Sequence, residues 1–322
     1  MRRGPASSSC ADSRIAELKN AEAVQVLLDG LVDYAGLFPP ASQSMQAAVE
    51  SYSSYRGGPD RAALGRFIVP LDRLKEFEAS ARELMPRGEG SEPWLLSVLV
   101  AEATATRAEQ MLKFNCHHWS GSADGHAVID AVELKVANQD DVEAQHAQLP
   151  KFFVRYFEVP LTANVEAIVK AIAAVGGRAK IRTGGVTRDA FPAARDILRF
   201  LVACERENVA FKATAGLHHP VRGSFNLTYK PQSEAGTMYG FLNVFLAAAL
   251  LRCGEPESVV LEVLGESDGR AFDFSNDYIG WRGHRVDATA LREIRRQFAI
   301  SFGSCSFREP VDELTALVSE HA

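Results

Sequence analysis

Two short segments of this chain carry lysines whose spacing suits covalent chemistry. They are Lys180-Ile181-Arg182-Thr183-Gly184-Gly185 and Phe211-Lys212-Ala213-Thr214-Ala215-Gly216. Each reads as a short strand running into a glycine turn. Side chains on a strand alternate faces, so Lys180 shares a face with Arg182, and Lys212 with Thr214. If the two strands are parallel neighbours with these faces inward, two ammonium groups lie close together. At roughly 6 Å and an effective dielectric near 20 they repel by about 3 kcal/mol, which is about two pKa units. One lysine then loses its proton more easily, and a neutral amine can attack a carbonyl to form a Schiff base. Two other arrangements stay open: one lysine points outward, or both pair with carboxylates on neighbouring strands.

Other polar residues cluster near predicted strand ends. Val128 to Val136 holds Asp130 and Glu133, which alternation puts on opposite faces unless a bulge shifts the phase. Lys151 to Val159 holds Arg155 and Glu158, opposed in the same way. Arg155, with aromatics on both sides, is expected to be a buried ion-pair partner. Asp33 and Tyr34 could reach a pocket or belong to a packed turn. His218 and His219, with Glu133 and Glu158, offer imidazole and carboxylate ligands of the kind zinc, manganese or iron take, although side chains of adjacent histidines diverge. Cys116-His117-His118-Trp119 lacks a second cluster and reads as structural.

These residues need elements to hold them, and the chain supplies a repeated order of short apolar run then helical pattern, the signature of βα units around a parallel sheet. Eight runs are legible: Leu31 to Leu37, Arg66 to Leu71, Trp94 to Val100, Val128 to Val136, Lys151 to Val159, Ala179 to Thr183, Ala210 to Thr214, and Phe298 to Phe302. The fold expected is α/β, a (β/α)8 TIM barrel with an inserted hairpin before the eighth strand. The hairpin is Phe272 to Phe274 against Tyr278 to Trp281, turned by Ser275-Asn276-Asp277. No Gly-x-Gly-x-x-Gly follows the first strand, which argues against a dinucleotide-binding sheet. Residues 1–12 read as a disordered lead-in and 13–322 as one barrel domain, opened by a helix from Ser13 to Leu28. Barrel active sites sit at the C-terminal strand ends, where both lysine segments finish.

In that frame four segments resemble deoxyribose-phosphate aldolase, a barrel of the class I, Schiff-base type. Lys180 to Gly185 is similar to its sixth-strand lysine motif and Phe211 to Gly216 to its seventh. Ile129-Asp130-Ala131-Val132 resembles its fourth-strand acidic motif, and Phe302-Gly303-Ser304-Cys305-Ser306 its eighth-strand phosphate turn. The resemblance implies that Lys180 forms the imine, Lys212 lowers its pKa, Asp130 relays protons, and Gly216, Gly303 and Ser304 hold an anionic group. It covers these four pieces only. Over its whole length the chain resembles a bacterial barrel family that implies no particular activity. Arg182 stands where the aldolases have a small polar residue, and His218-His219-Pro220 replaces a glycine-rich anion loop. Those departures point to a different carbonyl compound, its carboxylate held by Arg182 or Arg222.

Composition narrows the partners. A formal charge of -6 gives no electrostatic footprint for nucleic acid. The longest apolar stretch, Phe241 to Leu251, is too short to span a bilayer. Five cysteines without paired spacing argue against a disulfide framework and for a reducing, cytoplasmic setting. The leading expectation is therefore an aldolase-like lyase for a small carbonyl or anionic substrate, with no cofactor. Its site set is Lys180, Lys212, Asp130 and Glu133 for catalysis, and Arg182, Thr214, Gly216, His218, His219, Gly303 and Ser304 for binding. A homo-oligomer is compatible with it. The alternatives are a metal-dependent isomerase or hydrolase built on His218 and His219, and a barrel that binds a ligand without catalysis.

Overall fold

The computed structural model describes residues 21–321. The predicted lead-in and the first part of the predicted opening helix lie outside them. Eight parallel strands close into a barrel in the spatial order β1-β13-β7-β6-β5-β4-β3-β2. These are β1 (Val32–Tyr34), β2 (Leu64–Pro70), β3 (Trp94–Val100), β4 (Ala127–Lys135), β5 (Val154–Glu158), β6 (Arg178–Arg182), β7 (Phe211–Thr214) and β13 (Ala299–Ser304). Each is followed by a helix: α2 (Met45–Arg56), α3 (Leu74–Ala81), α4 (Ala105–His117), α5 (Gln139–His146), α6 (Val165–Ala174), α7 (Ala194–Arg206), α8 (Phe241–Arg252) and α11 (Arg308–Glu320). The (β/α)8 expectation therefore holds.

Local chemistry starts and stops these helices. The side chains of Ser44, Thr104, Asn138 and Asn164 each accept a backbone N–H in the first turn of α2, α4, α5 and α6, which satisfies donors a helix start otherwise leaves open. Gly176 ends α6 with φ 62, and Gly177 N–H returns to Ile172 C=O at 2.9 Å. Only glycine takes that left-handed turn without cost.

Between strands and helices lies an apolar shell. Tyr52 on α2 meets the Phe67 and Trp94 rings edge-on, at 5.4 and 5.0 Å between centroids. Helix α8 is buried on nearly every side, which an all-apolar helix requires. Its outer flank is covered by α9 (Glu257–Gly265) and β12 (His284–Asp287). The insertion before β13 thus completes the shell around α8.

That insertion is larger than the expected hairpin. β10 (Phe272–Phe274) and β11 (Tyr278–Trp281) pair as predicted, and β12 adds a third antiparallel strand. Asp287 then caps α10 (Ala288–Gln297), its carboxylate accepting Ala290 N–H at 2.9 Å. The turn at Asn276 caps α1 (Glu22–Leu28) through two backbone N–H groups. A second departure is a two-stranded ribbon, β8 (Gly223–Asn226) with β9 (Ala235–Met238), in what reads as a plain loop. Among the described residues no helix is long and apolar enough to cross a membrane.

Candidate active site

The barrel centre is charged. Lys180 and Lys212 lie side by side in register on β6 and β7, and Glu133 of β4 bridges them. Its Oε2 accepts from Lys180 Nζ at 2.7 Å, and its Oε1 accepts from Lys212 Nζ at 2.7 Å and from Ser97 Oγ at 2.6 Å. Lys212 also donates to Asp33 Oδ2 at 2.5 Å, and Ser301 Oγ donates to the same oxygen at 2.8 Å. Lys180 has a second partner, Glu158 Oε2 at 2.8 Å, whose other oxygen accepts from Arg182 Nε at 3.1 Å. Three carboxylates thus face three cations.

The sequence-based picture of two bare ammonium groups is changed by this bridge. Glu133 places a full negative charge between the lysines, so their repulsion is offset where it arises. Burial would lower the Lys212 pKa, but Asp33 and Glu133 outweigh it and hold the ammonium well above the ordinary lysine range. Its Nζ also lies 5.2 Å from the Tyr156 ring centroid, a favourable cation–π approach. Burial would raise the Glu133 pKa, yet the two lysines keep it far below the usual carboxylate range. Glu158 is lowered too, since Lys180 and Arg182 overcome its desolvation.

A bulge decides which acid of β4 reaches the lysines. Leu96 pairs with Ile129 but Ser97 with Ala131, so Asp130 is an extra residue in the ladder. The phase shift lets both Asp130 and Glu133 face inward, where strict alternation allows one. They do not meet. Asp130 forms a two-pronged pair with Arg66 of β2 at 2.8 and 2.6 Å, apart from the lysine cluster. β2 bulges as well, with Gly65 and Arg66 opposite Asp33. A Cβ at Gly65 would lie 2.4 Å from Asp33 Oδ1, so glycine is what lets that carboxylate sit there. Arg66 backbone N–H then donates to Asp33 Oδ1 at 2.8 Å.

Exposure is graded along the barrel axis. Lys212 is fully buried and the Lys180 side chain 4% exposed, while Glu158 and Arg182 reach 13% and 48%. Those last two line a cleft of about 740 Å3 at the ends of β4, β5 and β6, with Lys135, Arg199 and Asp196 on its walls. Lys180 lies behind Glu158 and is not among the residues that line the cleft.

The remaining residues expected to bind substrate divide. Thr214 pairs with Arg182 in register, and Gly303 sits beside Thr214, where an added Cβ would lie 3.2 Å from Thr214 Oγ1. Gly216, at φ 74, packs against Gly184, and a Cβ on it would meet Phe191 at 2.9 Å. That close approach joins the turns after β6 and β7, and Thr183 Oγ1 reinforces it by donating to Ala215 C=O at 2.7 Å. Ser304 Oγ accepts from Ser306 N–H at 3.3 Å. His218 and His219 stand apart from the lysines, facing Glu309 and Glu313 at 3.0 and 2.8 Å. Among the described residues no three His, Cys, Asp or Glu side chains gather as a metal-ligand set. Arg155 finds a histidine rather than a carboxylate, its NH1 lying 2.8 Å from His146 Nδ1.

Ser97, Ser301 and Tyr156 are site residues that reading the sequence passes over. The signal for Ser97 is a lone hydroxyl inside the apolar run WLLSVLV.

No protein-family model and no curated protein sequence matches the chain. Among solved structures it is similar to the nitroalkane oxidase from Streptomyces ansochromogenes, at 12% identity and a TM-score of 0.31. The likeness covers 61% of this chain and 62% of that one. The chain therefore spans less than two thirds of that structure.

Proposed function

We propose that the protein is a lyase of the Schiff-base type, cleaving or forming a carbon–carbon bond in a small carbonyl compound that bears a carboxylate. The observation that carries this reading is a lysine flanked by two carboxylates, next to a second buried lysine, with one of those carboxylates lining a cleft beside an arginine. Lys180 is the nucleophile. Glu158 is its proton acceptor at 2.8 Å, within the reach general-base catalysis needs. A substrate carboxylate at Arg182 competes with Glu158 for the guanidinium. Glu158 then loses part of what depresses its pKa and becomes a better base. The freed amine attacks the carbonyl carbon and Glu158 returns the proton to the oxygen; Glu158 then takes a second proton from the nitrogen and passes it to the hydroxyl, which leaves as water as the protonated imine forms. The protonated imine then withdraws electrons from the bond to be broken. Lys212 stays charged throughout, and with Asp33 it fixes Glu133 beside the reacting nitrogen.

The test is reductive trapping. Borohydride with pyruvate, glyoxylate or glycolaldehyde should add a mass that maps to Lys180 and is lost in Lys180→Met. If no carbonyl compound labels the protein, or the label maps elsewhere, the Schiff-base reading is wrong.

A further inference from the structure

A second cluster of reactive side chains lies at the same end of the barrel, away from the lysines. Cys305 follows β13. Its Sγ lies 4.0 Å from His218 Nε2 and 3.8 Å from Tyr229 Oη. The far side of the imidazole, Nδ1, lies 3.0 Å from Glu309 Oε2, and Tyr229 Oη donates to that same oxygen at 2.7 Å. Sulfur, imidazole and carboxylate stand in line, which is the order nucleophile, base, orienting acid. His218, Tyr229 and Glu309 also line a cleft of about 350 Å3 whose walls include Phe225, Leu227 and Met238, and the Cys305 sulfur lies behind His218 and Tyr229 rather than on its surface.

We propose that Cys305, His218 and Glu309 form a thiol nucleophile site that takes a small acyl group from a thioester or activated ester. The proposal is independent of the lysine chemistry, since none of the three groups bonds to that network.

The contrast with Cys204 shows why packing alone does not account for Cys305. Cys204 is buried on α7, where desolvation pushes its thiol well above the ordinary value. That is how a cysteine serving as a small hydrophobe behaves. Cys305 is also buried, yet an imidazole and a phenol turn toward it. Burial disfavours the charged form of His218, but hydrogen bonds to Cys305 and Glu309 prevail and lift its pKa to about 9.

The step balances without an added reagent. Once the imidazole is neutral, the Cys305 proton passes to His218 Nε2, and the sulfur lone pair forms the carbon–sulfur bond. The bond to the leaving alcohol or thiol then breaks, and His218 returns the proton to that leaving group. Water, deprotonated by the same imidazole, releases the acid and regenerates the thiol. Glu309 does not touch substrate and acts as a positioning residue through His218. The walls of phenylalanine, leucine and methionine suit a short apolar acyl chain.

The experiment is labelling of the intact protein with iodoacetamide across pH, and acylation with p-nitrophenyl acetate, both read by peptide mass. The charged and titratable groups that bear on the sulfur are His218, Tyr229, Glu309 and Tyr34, with the His219–Glu313 pair behind them. Cys305 is expected to label faster at neutral pH than the exposed Cys116 and Cys253, and to carry the acetyl group. His218→Gln should slow it about tenfold or more at neutral pH. Glu309→Gln should slow it less, and Glu309→Asp should restore the rate. Should His218→Gln fail to fold, the Glu309 pair alone makes the comparison, because that side chain is partly open to solvent. Labelling of Cys305 only after unfolding, a rate no higher than that of the exposed cysteines, or a rate unmoved by both variants would overturn the proposal.

Discussion

Replacing Lys212 by methionine tests the charged centre most directly. Methionine keeps most of the stem and its packing, but it removes one of three cations from a cluster with three carboxylates. Asp33 and Glu133 are then left without their shared ammonium at full burial. Breaking a buried ion pair from one side costs about 3–5 kcal/mol, and for a chain of this size that lowers Tm by roughly 4–7 °C. The sign of the pH effect follows. In the native protein Glu133 has its pKa lowered on folding, so its contribution is present above the unfolded value and fades as pH falls through the folded one. In the variant, the excess negative charge favours proton uptake by the folded state, so stability is lost as pH rises. Urea unfolding at pH 5.5 and pH 8 should show the larger deficit at pH 8. The double variant Lys212→Met, Glu133→Gln should recover part of the loss, because the excess charge is gone and the amide still accepts from Ser97. A deficit under about 1 kcal/mol, an equal deficit at both pH values, or a double variant no more stable than the single would refute the argument.

Two further outcomes follow from the same geometry. Glu158→Gln should slow borohydride-trapped imine formation about 100-fold, the scale of a lost general base, while the unfolding midpoint falls by less than in Lys212→Met, because Glu158 is 13% exposed and Lys180 keeps Glu133 as a partner. His218, raised from 6.5 to about 9, should add about 3 kcal/mol of stability; that is complete below pH 6.5 and is lost as pH rises through 9. Urea unfolding at pH 7 and pH 10 measures it, and His218→Gln should flatten the difference.

Much of the barrel is legible in the sequence because most of its strands alternate cleanly or run apolar throughout. β3 is read to the residue, since Trp94 to Val100 is a compact apolar run between polar turns. β8, β9 and β12 escape because their segments, GSFN, AGTM and HRVD, hold too few apolar side chains to mark a strand. In the site, alternation brings Lys180 and Lys212 to one face. It fails at β4, where the bulge at Asp130 breaks the period of two and makes Glu133 the acid at the lysines. Asp33 stays ambiguous in sequence because β1 is three residues long and buried throughout, so alternation has nothing to act on. Glu309 reads as an ordinary acidic residue at a helix start, and only the folded β7 turn brings His218 to it.

The order of strands around the barrel has a consequence for how the chain is made. β13 closes the ring by pairing with β7 on one side and β1 on the other. All of 215–298 lies between β7 and β13 in sequence. At about 5–20 residues per second of synthesis, the ribosome needs on the order of ten seconds to deliver that stretch. During that time β1 and β7 have no β13 to pair with, and unpaired strand edges are templates for other chains. Asp33 and Ser301 cannot meet before then either. The charged centre is therefore completed by nearly the last strand to emerge, and a nascent chain holds Lys212 without its full set of partners until closure.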